Sequence, residues 1–237
     1  AGSANTQGDI ASTVSANTTS GFSIVSYTGT GSLGTVGHGL GVAPKMIIIK
    51  NRSTTNGWEV YHQSIGNTKY LALNVTDAAL ASASRWNNTS PTSTVFTVNT
   101  EGGVNSSGGN LIAYCFAEKQ GYSKFGSYTG NGNADGTFIY TGFKPAFVMV
   151  KRTDGGANYW EIRDNKREPN NAMFFRLFPN RSDAESQDAN EKIDYVSNGF
   201  KLRNTTTGSN GSGNTYIYMA FAEAPLVGSN NVPCTAR

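Results

Sequence analysis

Residues 43–50 read Ala43-Pro44-Lys45-Met46-Ile47-Ile48-Ile49-Lys50, and the same pattern returns roughly 100 residues later as Lys144-Pro145-Ala146-Phe147-Val148-Met149-Val150-Lys151. A short continuous apolar run bounded by turn-forming residues is typical of a central β-strand buried on both faces. Because this strand occurs twice, the sequence predicts two related β units.

Further landmarks recur in the same order and support a duplication. They are Gly21-Phe22-Ser23 and Ser26-Tyr27-Thr28-Gly29 with Gly121-Tyr122-Ser123 and Ser127-Tyr128-Thr129-Gly130; Trp58-Glu59-Val60 with Trp160-Glu161-Ile162; Asn105, Ser107 and Gly108 with Asn210, Ser212 and Gly213; and Phe116-Ala117-Glu118 with Phe221-Ala222-Glu223. The period is too long for a solenoid, whose repeats span about 20–50 residues.

The repeat sets the predicted domain boundaries. Residues 1–20 are small and polar and are expected to form an extended lead-in, followed by a first unit at 21–120, a second at 121–223 and a tail at 224–237. Each unit carries roughly seven strand-like segments separated by Gly, Asn and Ser clusters at hairpin spacing. The prediction is an all-β protein of two tandem sandwich or jelly-roll units.

Composition limits the classes of partner. The 237 residues carry a net charge of +3, and the Lys and Arg residues are scattered rather than clustered, which disfavours nucleic acid. There is no apolar run of 18 residues, so no membrane span is expected. Cys115 lies in an apolar strand and Cys234 in the tail, a pair that leaves the disulfide state open. The chain starts without Met, which is typical of a processed product or a fragment.

One aromatic loop is a candidate ligand site. Arg85-Trp86-Asn87-Asn88 has no counterpart in the second unit. An aromatic ring flanked by amides can hold the face of a sugar, but a plug at the end of a sandwich is the favoured interpretation of Trp86. Loops that differ between the two units are freer to carry specificity than matched positions.

A second candidate is a weak calcium loop. Asn131, Asn133 and Asp135 place oxygen ligands at alternate positions before Gly136, as in an EF-hand. Gly142 stands at the twelfth position, where that loop needs a bidentate Glu. A plain Asn/Gly hairpin turn is therefore the favoured interpretation, with a weak calcium site as the alternative, and no other metal or cofactor is predicted.

No catalytic residue is predicted. His38 and His62 lack other metal ligands at a suitable spacing, and structural roles are expected for them. Glu59 and Glu161 follow the repeated Trp, and Glu118 and Glu223 end the repeated Phe-Ala-Glu. Because these glutamates recur in both units, we expect them to be scaffold, bonded to backbone or Lys at the sandwich rim. Trp58 and Trp160 are expected in the cores.

The matched segments resemble a known family. Gly21–Gly29, Gly39–Ile47 and Gly121–Gly130 resemble an uncharacterised duplicated domain of tail-fibre and structural proteins of tailed, mostly aquatic, bacteriophages. The resemblance runs from about Thr13 to Glu223, and Pro233–Arg237 is similar to the ends of such proteins. The family supplies no catalytic motif and therefore no site residues.

The resemblance implies an extracellular virion protein on the tail or capsid exterior. The first expectation is a tail-fibre or receptor-binding module, a homotrimer that contacts host surface glycans and other virion proteins. The alternative is a capsid decoration, cement or head-fibre protein with no ligand. A third is a polysaccharide depolymerase, although the prediction is that the chain is not an enzyme.

Overall fold

The computed structural model describes residues 2–223 of the chain. They separate into two compact units. The first comprises residues up to Asn74 together with Ala79–Glu118, and the second comprises Val75–Ala78 together with the described residues from Lys119 onward. The chain is therefore all-β and built from two units, but the short segment Val75–Ala78 belongs with the second.

The first unit is a sandwich of a large sheet and a small one. Its elements are β1 (Ser3–Asn5), β2 (Ser12–Asn17), β3 (Phe22–Thr28), β4 (Gly34–Gly37), β5 (Met46–Asn51), β6 (Trp58–His62), β7 (Lys69–Ala72), β8 (Leu80–Ala81), α1 (Ala83–Trp86), β9 (Val95–Val98), α2 (Gly102–Asn105) and β10 (Asn110–Phe116). The large sheet has the order β1-β2-β3-β10-β5-β6-β7-β8, and β4 pairs with β9. Alternate residues such as Val25, Ile47 and Leu111 pack with Val36 and Phe96 of the small sheet in one core.

The second unit repeats this plan. Its strands are β11 (Ser123–Thr129), β12 (Phe138–Tyr140), β13 (Pro145–Arg152), β14 (Trp160–Asp164), β15 (Phe175–Arg176), β16 (Ser186–Gln187), β17 (Lys192–Val196), β18 (Gly199–Arg203) and β19 (Thr215–Ala222). One sheet has the order β11-β19-β13-β14 and the other β12-β18-β17, with β15 and β16 as a separate pair. Val148, Tyr216 and Tyr218 pack with Ile139 and Phe200 in the core between the two sheets.

Buried contacts follow the duplicated sequence. Tyr27 in the first unit donates its hydroxyl to the carbonyl oxygen of Val104 at 2.7 Å, and Tyr128 in the second donates to that of Ser209 at the same distance. Their rings meet Phe96 and Phe200 edge-on, at 6.1 and 6.3 Å between centroids. Matched positions thus carry the scaffold.

The prediction of an extended lead-in at residues 1–20 was wrong. β2 pairs with β3 along Ser12–Asn17, and β1 pairs with β2, so this segment adds two strands to the large sheet. Ile10 and Val14 are buried, and their side chains pack the segment against the core of the first unit. Two apolar side chains among polar neighbours are a weak signal, which is why composition alone suggested an unpaired arm. The predicted tail at 224–237 and Cys234 lie outside the described residues.

Candidate functional site: a pocket in the second unit

Backbone register fixes which residues of the two units correspond. The amide of Trp58 donates to Asn74 Oδ1 at 2.8 Å, and the amide of Trp160 donates to Asn180 Oδ1 at 3.2 Å. β6 pairs Val60 with Leu71, and Ile162 forms the matching bridge with Leu177. Counting from these anchors, Tyr159 corresponds to Gly57 and Phe178 to Ala72. The second unit therefore adds two aromatic rings at these positions.

These two rings line a pocket of about 580 Å³ in the second unit. That volume lies in the range of small-molecule sites, roughly 300–1,000 Å³. Tyr159, Phe178 and Arg181 form part of its wall, and Glu161, Arg176 and Glu191 also line it. The lining is mostly polar and charged, and the two rings supply most of its apolar surface.

The wall is an aromatic and cationic stack. The rings of Tyr159 and Phe178 meet edge-on with centroids 5.4 Å apart. The guanidinium of Arg181 lies 4.3 Å from the centroid of Tyr159 and 5.3 Å from that of Phe178, and it forms an ion pair with Asp183. Tyr159 keeps 38% of its surface exposed. An exposed ring fixed by packing and by cation–π contacts offers a preorganised apolar face.

Below the wall lies a buried ion cluster. Arg176 Nη1 is 3.2 Å from Glu161 Oε1 and 3.1 Å from Glu191 Oε1, so one guanidinium nitrogen bridges both carboxylates. Arg163 Nη1 lies 3.1 Å from Glu161 Oε2, although that oxygen makes no hydrogen bond of good geometry. Burial raises the pKa of Glu161, and the charges of Arg163 and Arg176 oppose the rise.

The first unit builds a simpler version of this cluster. Glu59 corresponds to Glu161 and pairs with Arg85 Nε at 2.6 Å. A Cβ built on Gly103 would lie 2.8 Å from the Glu59 side chain, and one on Gly208 would lie 2.6 Å from Glu161 Oε1. A glutamate covered by a glycine is thus common to both units. The expectation that these two glutamates bond to backbone or Lys at the rim was wrong, because both are buried and their partners are arginines. In contrast, Glu223 is exposed and pairs with Lys166.

The Arg85–Asn88 loop is not an open sugar platform. Trp86 ends α1 with 2% of its surface exposed, its Nε1 donates to the carbonyl oxygen of Lys69 at 3.1 Å, and its ring meets Tyr61 edge-on. A stacked sugar needs an exposed ring face, so the structure favours the plug. Arg85 is committed to Glu59 and lies 3.4 Å over the ring of Tyr70. Asn87 and Asn88 adopt positive φ of 50°, which an Asn tolerates well.

The contacts at Asn131, Asn133 and Asp135 favour the plain hairpin turn over the calcium loop. Asn131 Oδ1 accepts from the amide of Asn133, and Asn133 Oδ1 accepts from the amide of Asp135. Asp135 pairs instead with Lys201 Nζ at 2.7 Å and Arg203 Nη1 at 3.1 Å, and the Lys201 hydrogen bond and charge hold its pKa below the ordinary value. Among the described residues there is no group of three or more His, Cys, Asp or Glu that could hold a metal.

A buried asparagine clasps this turn in each unit. Asn105 Oδ1 accepts from the amide of Thr30 at 2.8 Å, and its Nδ2 donates to the carbonyl oxygen of Ser32 at 2.6 Å. Asn210 Oδ1 accepts from the amide of Asn131 at 3.1 Å, and its Nδ2 donates to the carbonyl oxygen of Asn133 at 2.9 Å. The turn residues therefore belong to the scaffold.

Other singled-out residues are structural. His38 is buried and neutral in its setting, since Nδ1 accepts from the amide of Leu40. Burial raises the pKa of Cys115 to about 12, so its thiol stays protonated. Trp160 is buried as expected, but Trp58 is only half-buried and stacks on Tyr114 at 6.4 Å. Within residues 2–223 no helix has the length and hydropathy needed to cross a bilayer.

Sequence reasoning missed Tyr159, Phe178 and Arg181. The signal that could have found them is a difference between the two units, because the second unit has aromatic side chains where the first has Gly57 and Ala72. Reading it requires a residue-level alignment across an insertion, and β-strand register supplies that alignment only in the structure.

Comparison with known proteins yields one match. The model of a family described as a domain of unknown function (DUF7483) matches residues 1–225. Neither the curated proteins nor the solved structures include a significant match to the chain.

Proposed function

The chain belongs to the DUF7483 family of domains of unknown function, and we propose from the site itself that it is a glycan-binding module whose second unit holds sugar in the Tyr159–Phe178 pocket. The main support for this proposal is the pair of aromatic rings, Tyr159 and Phe178, that only the second unit has at these positions. The first unit has Gly57 and Ala72 at these positions, whereas the second has two rings over a pocket of about 580 Å³.

Sugar suits the chemistry of this pocket. A pyranose presents C–H groups on one face, which pack on an aromatic ring, and hydroxyls at its edge, which need polar partners. Arg181 lies over one face of the partly exposed Tyr159 ring, so the sugar would stack on the opposite face, while Ser186, Thr207 and Asn158 line the same pocket with polar groups. The rings are held by their neighbours before any ligand arrives, which lowers the entropy cost of binding.

The preferred sugar is neutral. Each charged group that lines the pocket has an ion-pair partner, since Arg181 pairs with Asp183, Arg176 with both Glu161 and Glu191, and Glu185 with Arg167. A uronic acid would bring an extra carboxylate beside Glu161 and Glu191 without a spare cation among these groups. The ion pairs therefore set the polarity of the pocket without favouring either sign of charge.

Binding without hydrolysis fits the cluster better than catalysis does. Glycoside hydrolysis needs two carboxylates, one to give a proton and one to attack or to activate water. Glu161 and Glu191 are close, because both contact the same Arg176 nitrogen. That shared guanidinium lies within 3.2 Å of both carboxylates and so occupies the position between them where a scissile bond would have to lie.

The proposed setting is the exterior of a bacteriophage virion. The resemblance carried by Gly21–Gly29 and Gly121–Gly130 supports this location, with a tail fibre as the first choice. A weak sugar site gains strength when several copies on one particle engage a repetitive surface. Antibody raised to the chain and imaged with gold on virions tests the setting. Label on the tail is expected, and label on the head would point to capsid decoration.

One observation favours a structural role as the second candidate. Phe138 and Tyr140 of β12 expose 44% and 62% of their surfaces on an uncharged sheet edge. Exposed aromatic residues are enriched where proteins contact other proteins. A decoration protein would use such a surface and would need no ligand pocket.

A glycan microarray probed with the purified chain tests the sugar-binding proposal. Selective retention on neutral glycans is expected, and it should weaken when Tyr159 is changed to Ala. Incubation with the retained polysaccharide, followed by an assay of reducing ends, separates binding from depolymerisation. No binding to any neutral glycan would remove the proposal.

A further inference from the structure

The edge strand β12 and its counterpart β4 differ in the hydrogen bonds made by the outward-facing backbone groups. Val36 of β4 pairs with Phe96, and Ile139 of β12 pairs with Phe200. Both rings meet the repeated tyrosine edge-on, which makes Ile139 the counterpart of Val36. It follows that Phe138 and Tyr140 stand at the positions of Thr35 and Gly37.

In the first unit, residues 9–12 of the same chain hydrogen-bond to the outer edge of β4. The amide of Thr35 donates to Asp9 Oδ2 at 3.0 Å, and its carbonyl oxygen accepts from the amide of Ile10 at 2.9 Å. The carbonyl oxygen of Gly37 accepts from Ser12 Oγ at 3.1 Å. The segment that precedes β3 thus covers the outward groups of β4. Between β10 and β11 the chain has only a short connection, so the second unit has no equivalent segment ahead of it.

The outward groups of β12 can be identified from the ladder. Leu202 donates its amide to the carbonyl oxygen of Thr137, and Thr141 donates to that of Asn198. Antiparallel pairs alternate between bonded and non-bonded residues, so Ile139 faces β18 while the N–H and C=O of Phe138 and Tyr140 point outward. In the part of the chain that the structure describes, β12 has no strand partner other than β18.

Within residues 2–223, no Lys, Pro, bulge or covering segment protects this edge of β12. Natural edge strands are protected by Lys, Pro, bulges or covering segments. Residues 137–141 read Thr-Phe-Ile-Tyr-Thr, an uncharged run of strong β-formers, and both aromatic side chains project from the same face of β12. Two unpaired outward residues that flank a central one form a self-complementary edge.

We propose that β12 pairs with β12 of a second copy of this chain, antiparallel about a two-fold axis through Ile139. In that register Phe138 of each copy faces Tyr140 of the other. The outward amides and carbonyls of both residues then form two hydrogen-bonded pairs, and each phenyl ring packs beside a phenol ring on the same face. An isologous contact of this kind closes after two copies. The edge is short, so the dimer forms in a concentration-dependent equilibrium.

Sedimentation of the full chain over a range of concentrations tests the pairing. A monomer–dimer equilibrium is expected for the parent chain. Tyr140→Lys should sediment as a monomer at every concentration, because it places a charge on the edge strand. Leu33→Lys is the matched control, since Leu33 is also an exposed apolar residue but lies in the first unit. Unfolding curves of both variants check that the fold is intact.

Cross-linking tests the register. In a Cys234→Ser background, Phe138→Cys and Tyr140→Cys chains are oxidised separately and as a mixture. Facing residues in a bonded antiparallel pair have Cα atoms about 5.5 Å apart, within disulfide reach. The mixture should give a disulfide-linked dimer, while each chain alone should give far less. A monomer at every concentration, a trimer insensitive to Tyr140→Lys, or equal cross-linking in all three samples would overturn the pairing.

Discussion

The ring of Tyr159 meets the ring of Phe178 edge-on with their centroids 5.4 Å apart, and Arg181 lies over both. Neither ring has a counterpart in the first unit, where Gly57 and Ala72 stand at the matched positions. A duplication lets one copy keep the scaffold while the other changes its loops. The pocket beside these rings is the clearest product of that divergence.

Trp86→Ala should destabilise the first unit rather than remove a ligand site. The ring is buried against Tyr61 and its Nε1 donates to the Lys69 carbonyl. Truncating a buried Trp costs about 3–5 kcal/mol. Denaturant unfolding measures the loss. A stable variant that fails to bind glycan would return the sugar-platform hypothesis to the Arg85–Asn88 loop.

Asn210→Ala should be as damaging as a core substitution, although Asn210 is polar. Its side chain accepts from the amide of Asn131 and donates to the carbonyl oxygens of Asn133 and Asn204. Only the bond to the Asn204 carbonyl is fully buried, and leaving that oxygen unpaired costs about 1–3 kcal/mol. The free energy of unfolding is the measurement, with the exposed Asn190→Ala as control. Equal stability of the two variants would show that the clasp is dispensable.

Much of the scaffold was predictable because it depends on patterns that survive duplication. The runs at Met46–Ile49 and Phe147–Val150 become central strands, and the Asn105 and Asn210 landmarks become the clasps. Local pattern fails where pairing is decided by distant residues. β2 is short and polar, and it is a strand because β3 offers it an edge and the core accepts Ile10 and Val14.

The site was less predictable for the same reason. Trp86 in a polar loop was compatible with an exposed sugar-binding face and, as the favoured interpretation, with a buried plug; the structure places the ring in the core. Asn131, Asn133 and Asp135 have the spacing of a calcium loop, yet spacing does not report which oxygens already accept hydrogen bonds. Tyr159 looked unremarkable in sequence until strand register aligned it with Gly57.

Calcium should leave stability unchanged. Any ligand that binds the folded state alone raises the unfolding free energy by an amount set by its concentration relative to Kd. Asp135 already pairs with Lys201 and Arg203. The side-chain oxygens of Asn131 and Asn133 already accept hydrogen bonds from backbone amides. Thermal unfolding with millimolar calcium and with chelator should coincide. A calcium-dependent rise in the midpoint that Asp135→Asn abolishes would restore the metal site.

His38 should make the fold sensitive to mild acid. Burial lowers the pKa of its ring from 6.5, with the Thr92 carbonyl opposing part of the shift. Below about pH 6.5 the unfolded chain binds a proton that the folded chain does not, so stability falls as the pH falls until the folded pKa is reached. The free energy of unfolding is compared between the parent chain and His38→Gln from about pH 8 to about pH 5. The parent chain should lose more unfolding free energy than His38→Gln as the pH falls. Equal losses in the two proteins would show that His38 does not cause the acid sensitivity.

Calorimetric titration of the full chain with a neutral glycan retained on the array tests the central claim most directly. Tyr159→Ala should weaken binding by about 1–2 kcal/mol, roughly 5- to 30-fold in Kd, as expected when an aromatic anchor is truncated. Leu33→Ala is the control, because Leu33 is an exposed apolar residue outside both the pocket lining and the β12 edge, and the variant should bind like the parent chain. Unchanged affinity in Tyr159→Ala, or equal losses in both variants, would contradict a sugar site in this pocket.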